Sequence, residues 1–324
     1  MIILTGCSVD PVTGKRSLDF YSESQEIQMG QQYHEELLKE YMVYKDDKLQ
    51  KYVQDIVTKI GASCDRPNLD YKVLILDTNE VNAFAIPGGH VYVLRGILPY
   101  FNSESELACV LAHEIGHVCA RHGVESQSVA ALSDIGLKIG ALLIGGGDND
   151  KANQTYKLSS GISQLGLLSY SREHEMEADR LGVKYSARAG FSPLGMEQTM
   201  KMFERMSNGT NPLMTVLSTH PASDVRAKQA RIEVRKLQEN TDVVVDLHRD
   251  RYLEMIAGVD LGVRPTVNTN AVLPKLTIYT VQSGETWESL TKKFFSGDAP
   301  VRLAWMNGCE LSEPVPAQIK VRLF

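Results

Sequence analysis

No run of about 20 uncharged apolar residues occurs in the 324-residue chain. A helix needs about that length to cross a bilayer, so no spanning helix is expected. Nor is there a basic excess, since 34 Lys and Arg stand against 40 Asp and Glu, a formal charge of −6. That balance lacks the electrostatic footprint of nucleic-acid binding, and no nucleic-acid partner is expected. Cysteine is scarce: Cys7, Cys64, Cys109, Cys119 and Cys309 include no C-x-x-C pair, which removes a zinc knuckle or a dithiol redox motif. Cys109 and Cys119 share one helical stretch. At that spacing they stand about 15 Å apart, too far for a disulfide, and they read as small packing residues. Cys64 and Cys309 remain as possible partners. The 43% hydrophobic content suffices for a real core, and the length suits one large domain plus a small one.

The order along the chain is readable. Residues 20–60 carry apolar positions at helical spacing and stop at Gly61. "YKVLILD" reads as a buried strand, and "VNAFAIPGGHVYVLRG" as an extended piece, a Pro-Gly-Gly turn and a second strand from His90 to Arg95. Ser103 and Glu106 form a capping box at the start of the next helix. "SVAALSDIGLKIGALLIGGG" reads as a helix covering the core, with Asp134 and Lys138 arguing against membrane contact, and "GGGDNDKANQ" as a loop. A helix follows from about Leu158 to Ala189, and another starts near Ser192-Pro193. "THPASDVRAKQARIEVRKL" is a loop running into a polar helix, "RPTVNTNAVLPK" a linker, and a compact unit begins near Leu276.

The chemistry concentrates in "LAHEIGHVCARH". His113 and His117 stand four apart, so one helix face presents both imidazoles to a single cation. Glu114 follows the first histidine and can reach water on that cation, the pattern of a zinc metalloprotease. A catalytic zinc wants a third protein ligand. The candidate lies 58 residues beyond His117, where Glu175 and Asp179 are one helical turn apart in "EMEAD". Glu175 can bind the metal while Asp179 accepts a hydrogen bond from a ligating histidine. His174 and Glu177 point to other faces. On its own this second motif is also compatible with an ordinary charged helix surface.

H-E-x-x-H followed by E-x-x-A-D, with "VNAFAIPGGHVYV", "YSREHEMEADRLG" and "STHPASDVR", resembles the gluzincin metallopeptidases of family M48, over roughly Ser22 to Gln238. That family includes the CAAX prenyl protease, HtpX and periplasmic BepA-like proteases. The resemblance implies an α+β fold: a mainly helical zincin-type domain with a small β-sheet over 20–262. It implies one Zn2+ per chain on His113, His117 and Glu175, Glu114 as general base and Asp179 behind the ligands. Asn82, Ala83, Phe84 and Ala85 would form the edge that pairs with an extended substrate. His220 and Arg226 match positions near the cleft. His220 would either donate to the oxyanion or bind zinc as a fourth ligand in a resting state. The long spanning helices of the family's integral-membrane branches are missing from this chain, which argues against processing of prenylated proteins.

The two ends carry weaker resemblances. Leu4-Thr5-Gly6-Cys7 is similar to a bacterial lipobox, so Cys7 is the candidate lipidation site, at the head of a tether over 1–19. The alternative is a chance cysteine in an apolar start. Ser8 in the next position suggests the outer membrane. After a linker at 263–275, residues 276–324 resemble a βααβ LysM domain through "YTVQSGET", Asn307-Gly308 and a closing strand. Trp287 stands where that family has an aliphatic residue, and "PAQ" replaces "PGQ". Peptidoglycan binding and structural packing on the larger domain are both open. The whole reading is a lipid-anchored zinc endopeptidase on the periplasmic side of a bacterial envelope, acting on unfolded or misassembled proteins. The competing readings are a non-catalytic cell-wall or chaperone adaptor, and a LysM-directed cell-wall factor.

Overall fold

A computed structural model describes residues 7–9, 14, 16–18, 21–128, 170–207, 220, 224–262, 272–295, 300–315 and 320–323. The expected covering helix after Ser128, the loop at 145–154, and most of the linker at 263–275 lie outside the described residues. Among the described residues no helix is long and apolar enough to cross a membrane. The polar segment after Cys7 was expected to be loop-like. Instead β1 (Cys7–Val9) and β2 (Arg16–Leu18) pair antiparallel, and Gly14, at φ +68°, supplies a left-handed residue between them.

The helical stretch at 20–60 is two helices, α1 (Glu23–Glu40) and α2 (Asp47–Ser63). Ser22 and Gln25 cap α1 reciprocally, and Asp46 caps α2 by accepting from the Leu49 N–H. The break between them is held by the sheet, since the Tyr44 N–H donates to the Ile75 carbonyl at 2.8 Å. α2 buries Leu49, Tyr52, Val53, Ile56, Val57 and Ile60 on one face, at the spacing an amphipathic helix requires.

Strands β3 (Lys72–Leu76), β4 (Ala83–Ile86) and β5 (His90–Leu94) form a sheet in the order β3-β5-β4. β3 is parallel to β5 and β4 antiparallel to it, so β4 is an edge. The turn from β4 to β5 passes through Gly88 and Gly89 at φ +82° and +97°, which the Pro-Gly-Gly sequence provides for. Side chains alternate along β4: Ala83 and Ala85 join the core that contains the next helix, while Ile86 and Phe84 belong to a separate cluster with Tyr92.

Helix α3 (Glu104–Cys119) starts where expected. The Ser103 hydroxyl accepts from the Glu106 N–H, but the Glu106 carboxylate reaches the Asn102 N–H at 2.9 Å, one residue earlier than a reciprocal box would place it. Every residue of α3 is buried. Helix α4 (Arg172–Arg188) lies along it. A Cβ on Gly116 would meet the Ala178 carbonyl at 3.2 Å, and one on Gly182 the His113 amide at 3.1 Å, so two glycines set how closely these helices approach. The helix expected from Leu158 begins at Arg172 instead, because Ser171 stops it as an N-cap; residues 158–169 are outside the described set. Helices α5 (Leu194–Ser207) and α6 (Asp224–Asn240) pack on α3 and α4, and the short α7 (Arg249–Ile256) follows.

At the C-terminus, β6 (Thr277–Thr280) and β7 (Lys320–Leu323) pair antiparallel, with α8 (Trp287–Phe294) and α9 (Pro300–Met306) between them in sequence. Trp287, Leu290, Leu303, Val321 and Leu323 make a small core of their own. The unit touches the larger one through Arg249, which donates to the Lys320 carbonyl at 3.2 Å, and Lys320, which pairs with Glu254 at 2.7 Å. Cys64 does not approach Cys309. Its neighbour is Tyr71, whose hydroxyl lies 3.3 Å from the Cys64 sulfur and 3.4 Å from that of Cys119.

Candidate metal centre

Because α3 turns once between His113 and His117, their Nε2 atoms face one another at 3.0 Å. α4 brings Glu175 across the Gly116/Gly182 contact, with Oε1 3.4 Å from His117 Nε2 and Oε2 3.7 Å from His113 Nε2. His220, from the segment before α6, completes the group. Its Nδ1 lies 2.9 Å from Glu175 Oε1 and 3.4 Å from His113 Nε2. One donor atom from each of the four falls within 4.8 Å of every other, and all four residues are buried. Imidazole nitrogens and a carboxylate converging on one point in a buried place form a donor set suited to a zinc-like cation.

The surroundings orient these donors. His113 Nδ1 is 3.0 Å from Asp179 Oδ1, so Asp179 receives that N–H and leaves Nε2 bare for the cation. Arg226 clamps Asp179 with two 2.7 Å hydrogen bonds and holds Nη1 2.7 Å from Glu175 Oε2. The sequence placed Arg226 near the cleft, and it reaches both of these carboxylates. Burial alone would push both carboxyls up. Arg226 and His113 outweigh it for Asp179, and His220 and His117 for Glu175, so both sit below the usual carboxylate range.

Glu114 is buried one position from a donor and is not part of the donor group. Its carboxylate faces the Ala85 N–H on β4 and lies 3.5 Å from His220 Nε2. Burial raises its pKa against the opposing pull of His220 and His113. His220 is raised, because Glu114 and Glu175 outweigh its desolvation. Burial holds His117 well below its ordinary value, in the neutral form a metal ligand needs.

The structure thus gathers His113, Glu114, His117, Glu175, Asp179, His220 and Arg226 at one place, with Ala83 and Ala85 beside them. Phe84 does not join them; its ring stacks on Tyr92 at 5.0 Å on the other face of β4. Asn82 is buried just before the strand and accepts from the Leu94 N–H. The Cys7 side chain lies outside the described residues.

Three neighbours of the donor group carry no role in the sequence reading. Tyr170 stacks on the His117 ring at 4.1 Å. His122 Nδ1 lies 2.9 Å from His117 Nδ1, and Glu177 Oε2 lies 3.5 Å from His122 Nε2. The only sequence signal for His122 was its presence in "HVCARH", at a spacing that no single helix face explains.

The model of the family described as Peptidase family M48 matches residues 47–234, more than half of the chain. A protein of Escherichia coli (strain K12) named beta-barrel assembly-enhancing protease is 27% identical over 248 residues, which cover 75% of this chain and 50% of that protein. The Vibrio cholerae protein named putative beta-barrel assembly-enhancing protease is 30% identical over 244 residues, 73% of this chain and 50% of its own length. A Schizosaccharomyces pombe protein named mitochondrial metalloendopeptidase OMA1 is 30% identical over 234 residues, 71% and 65% of the two chains. The chain spans about half the length of the bacterial relatives it matches.

Proposed function

The chain belongs to peptidase family M48, and on that premise we propose that it is a zinc-dependent endopeptidase cutting unfolded or misassembled proteins of a bacterial cell envelope. The observation that carries this reading is the placement of Glu114. It stands beside a buried His113, His117, Glu175 donor set without belonging to it, facing the Ala85 amide of β4. An adaptor that only binds has no need of a buried carboxylate at that position.

Zinc held by His113, His117 and Glu175 would polarise the scissile carbonyl and acidify the attacking water. Glu114 takes the proton of that water and returns it to the leaving nitrogen. The free edge of β4 pairs with the substrate backbone and fixes the register of the scissile bond. His220 can face the donor group as a restraint on the resting site, with a bare ring nitrogen, or donate to the developing oxyanion, with a protonated one. The envelope setting is supported by bacterial relatives named for β-barrel assembly. A lipid anchor at Cys7 completes the proposal, and residues 276–324 serve either peptidoglycan contact or structural packing on the larger domain.

The test is casein degradation with parallel zinc analysis. Wild type should degrade casein with about one zinc bound. Glu114→Gln should keep the zinc and lose proteolysis. Full activity in that variant would remove the assignment of Glu114, and zinc-free wild type with full activity would remove the metal.

A further inference from the structure

Helix α6 turns Arg226, Ala230 and Val234 inward at steps of four. Its other side carries Lys228, Arg231 and Arg235, at steps of three and four, as one row of cations. Lys228 and Arg235 are exposed and Arg231 is half-buried. Beside that row Val225 is 61% exposed and Ile232 45%, two turns apart on the same side of the helix. A single exposed aliphatic is ordinary. Two in line, bordered by cations, are the pattern of a helix that lies on an anionic interface.

A merely solvated face would pair its cations. Other exposed helix faces of this chain do so: Lys39 with Glu36 on α1, Lys51 with Asp55 on α2, Arg180 with Glu177 on α4 and Lys201 with Glu197 on α5, each about one turn apart. On α6, Lys236 pairs that way with Glu233. Among the described residues, Lys228, Arg231 and Arg235 form no ion pair. Asp224 stands one turn before Lys228, in the first turn, where an acid favours the helix dipole. Arg231 and Arg235 are like charges at i and i+4, an arrangement that weakens a helix. Such a row, in a chain whose net charge is −6, calls for an anionic partner.

We propose that this face of α6 docks on a lipid bilayer bearing anionic phosphate headgroups. Val225 and Ile232 enter the headgroup layer, and Lys228, Arg231 and Arg235 meet the phosphates. A bilayer supplies an apolar layer beneath a phosphate layer, which matches aliphatics and cations side by side; an acidic protein matches the cations alone. The negative remainder of the chain does not cancel the attraction, because at about 0.1 M salt charges more than about 10 Å away are largely screened. The lipid anchor proposed at Cys7 would bring the chain to such a surface, and α6 would fix its orientation there. Arg226 leaves the opposite face of the helix to reach Asp179 and Glu175. A docked α6 therefore keeps the metal centre about 10 Å, one helix diameter, from the headgroups.

The full chain, carrying no lipid at Cys7, is floated with vesicles of phosphatidylcholine alone or of phosphatidylcholine and phosphatidylglycerol in equal parts. At low salt the wild type should bind the mixed vesicles and not the neutral ones. It should be largely released at about 1 M salt, where the screening length falls to about 3 Å. Each cation at an anionic surface is worth about 5-fold in affinity. Lys228→Gln, Arg231→Gln and Arg235→Gln combined should therefore weaken binding by about 100-fold, and Val225→Ser with Ile232→Ser should weaken it too. Lys39→Gln, Lys51→Gln and Lys201→Gln combined remove the same charge from other helices and should leave binding near that of wild type. Were the triple variant on α6 to misfold, its three single variants decide, each at about 5-fold. No binding by wild type, equal binding to both vesicles, wild-type affinity in either α6 variant, or an equal loss in the control variant overturns the proposal. Wild type that ignores vesicles but binds soluble polyglutamate overturns it in favour of an acidic protein. Binding is read without cleavage, so its failure leaves the peptidase reading standing.

Discussion

His117 and His122 meet through their Nδ1 atoms at 2.9 Å. Only one proton can lie between them. If His117 presents a bare Nε2 to the donor group, its Nδ1 carries the proton and donates it to His122. The His122 proton then sits on Nε2, directed at Glu177, whose carboxyl is held below its usual value by that hydrogen bond first of all. Each histidine of α3 thus has a partner that fixes its tautomer, Asp179 for His113 and His122 for His117. His122→Ala should weaken zinc binding by about 10–100-fold, read by competition with a chromogenic chelator, while the far-UV spectrum stays that of wild type. Unaltered zinc affinity would mean that His122 is only a packing residue.

Glu175 is the third donor, and three protein ligands are the expected minimum for a catalytic zinc. Glu175→Ala should lose both metal and proteolysis. The loss should go beyond the metal, because Arg226 and His220 each lose a buried carboxylate partner. Stoichiometric tight zinc in this variant would assign the third ligand elsewhere, with His220 the first alternative.

Gly30 on α1 faces the turn that ends β4. A Cβ there would stand 1.9 Å from the Pro87 carbonyl oxygen, and the obstacle is backbone, which cannot rotate away. Gly30→Ala gains about 1 kcal/mol of helix propensity but must push α1 off the turn, an overpacking cost of about 1–3 kcal/mol or more. The second effect should win, lowering the urea midpoint. The displaced turn adjoins β4, so casein cleavage should fall as well. A midpoint at or above that of wild type would show that α1 shifts freely.

Helical periodicity made part of this site legible. His113 and His117 share a face because 3.6 residues make a turn, and the sequence shows that directly. Glu175 was legible as a ligand only with the family resemblance, since a charged helix surface has the same pattern. His122 was not legible. α3 ends at Cys119, Arg121 takes a left-handed φ of +58°, and residues 122–128 resume a helix. That left-handed break, not a helical step, brings His122 to His117. The break at 41–46 was hidden for a related reason: a backbone hydrogen bond to β3 ends the helix, and side-chain spacing does not report it.

His220 separates two roles by the sign of one substitution. Its Nδ1 belongs to the donor group, 2.9 Å from Glu175 Oε1, while its Nε2 lies 3.5 Å from Glu114 Oε1. As a fourth ligand it would occupy the position water needs and hold the enzyme latent. As a donor to the oxyanion it would assist each turnover. Loss of a restraint raises activity on a protein substrate and weakens zinc binding. Loss of an oxyanion donor lowers kcat by about 10²–10³ and leaves zinc binding almost unchanged. The placement of Nδ1 among the donors favours the restraint, so His220→Ala should raise basal casein cleavage and lower zinc affinity together. Measuring kcat beside zinc affinity distinguishes a residue with both roles, which would show weaker zinc binding and a smaller net change in rate. If zinc affinity, basal cleavage and kcat all match wild type, His220 does neither, and its closeness to Glu175 serves only to neutralise a buried carboxylate.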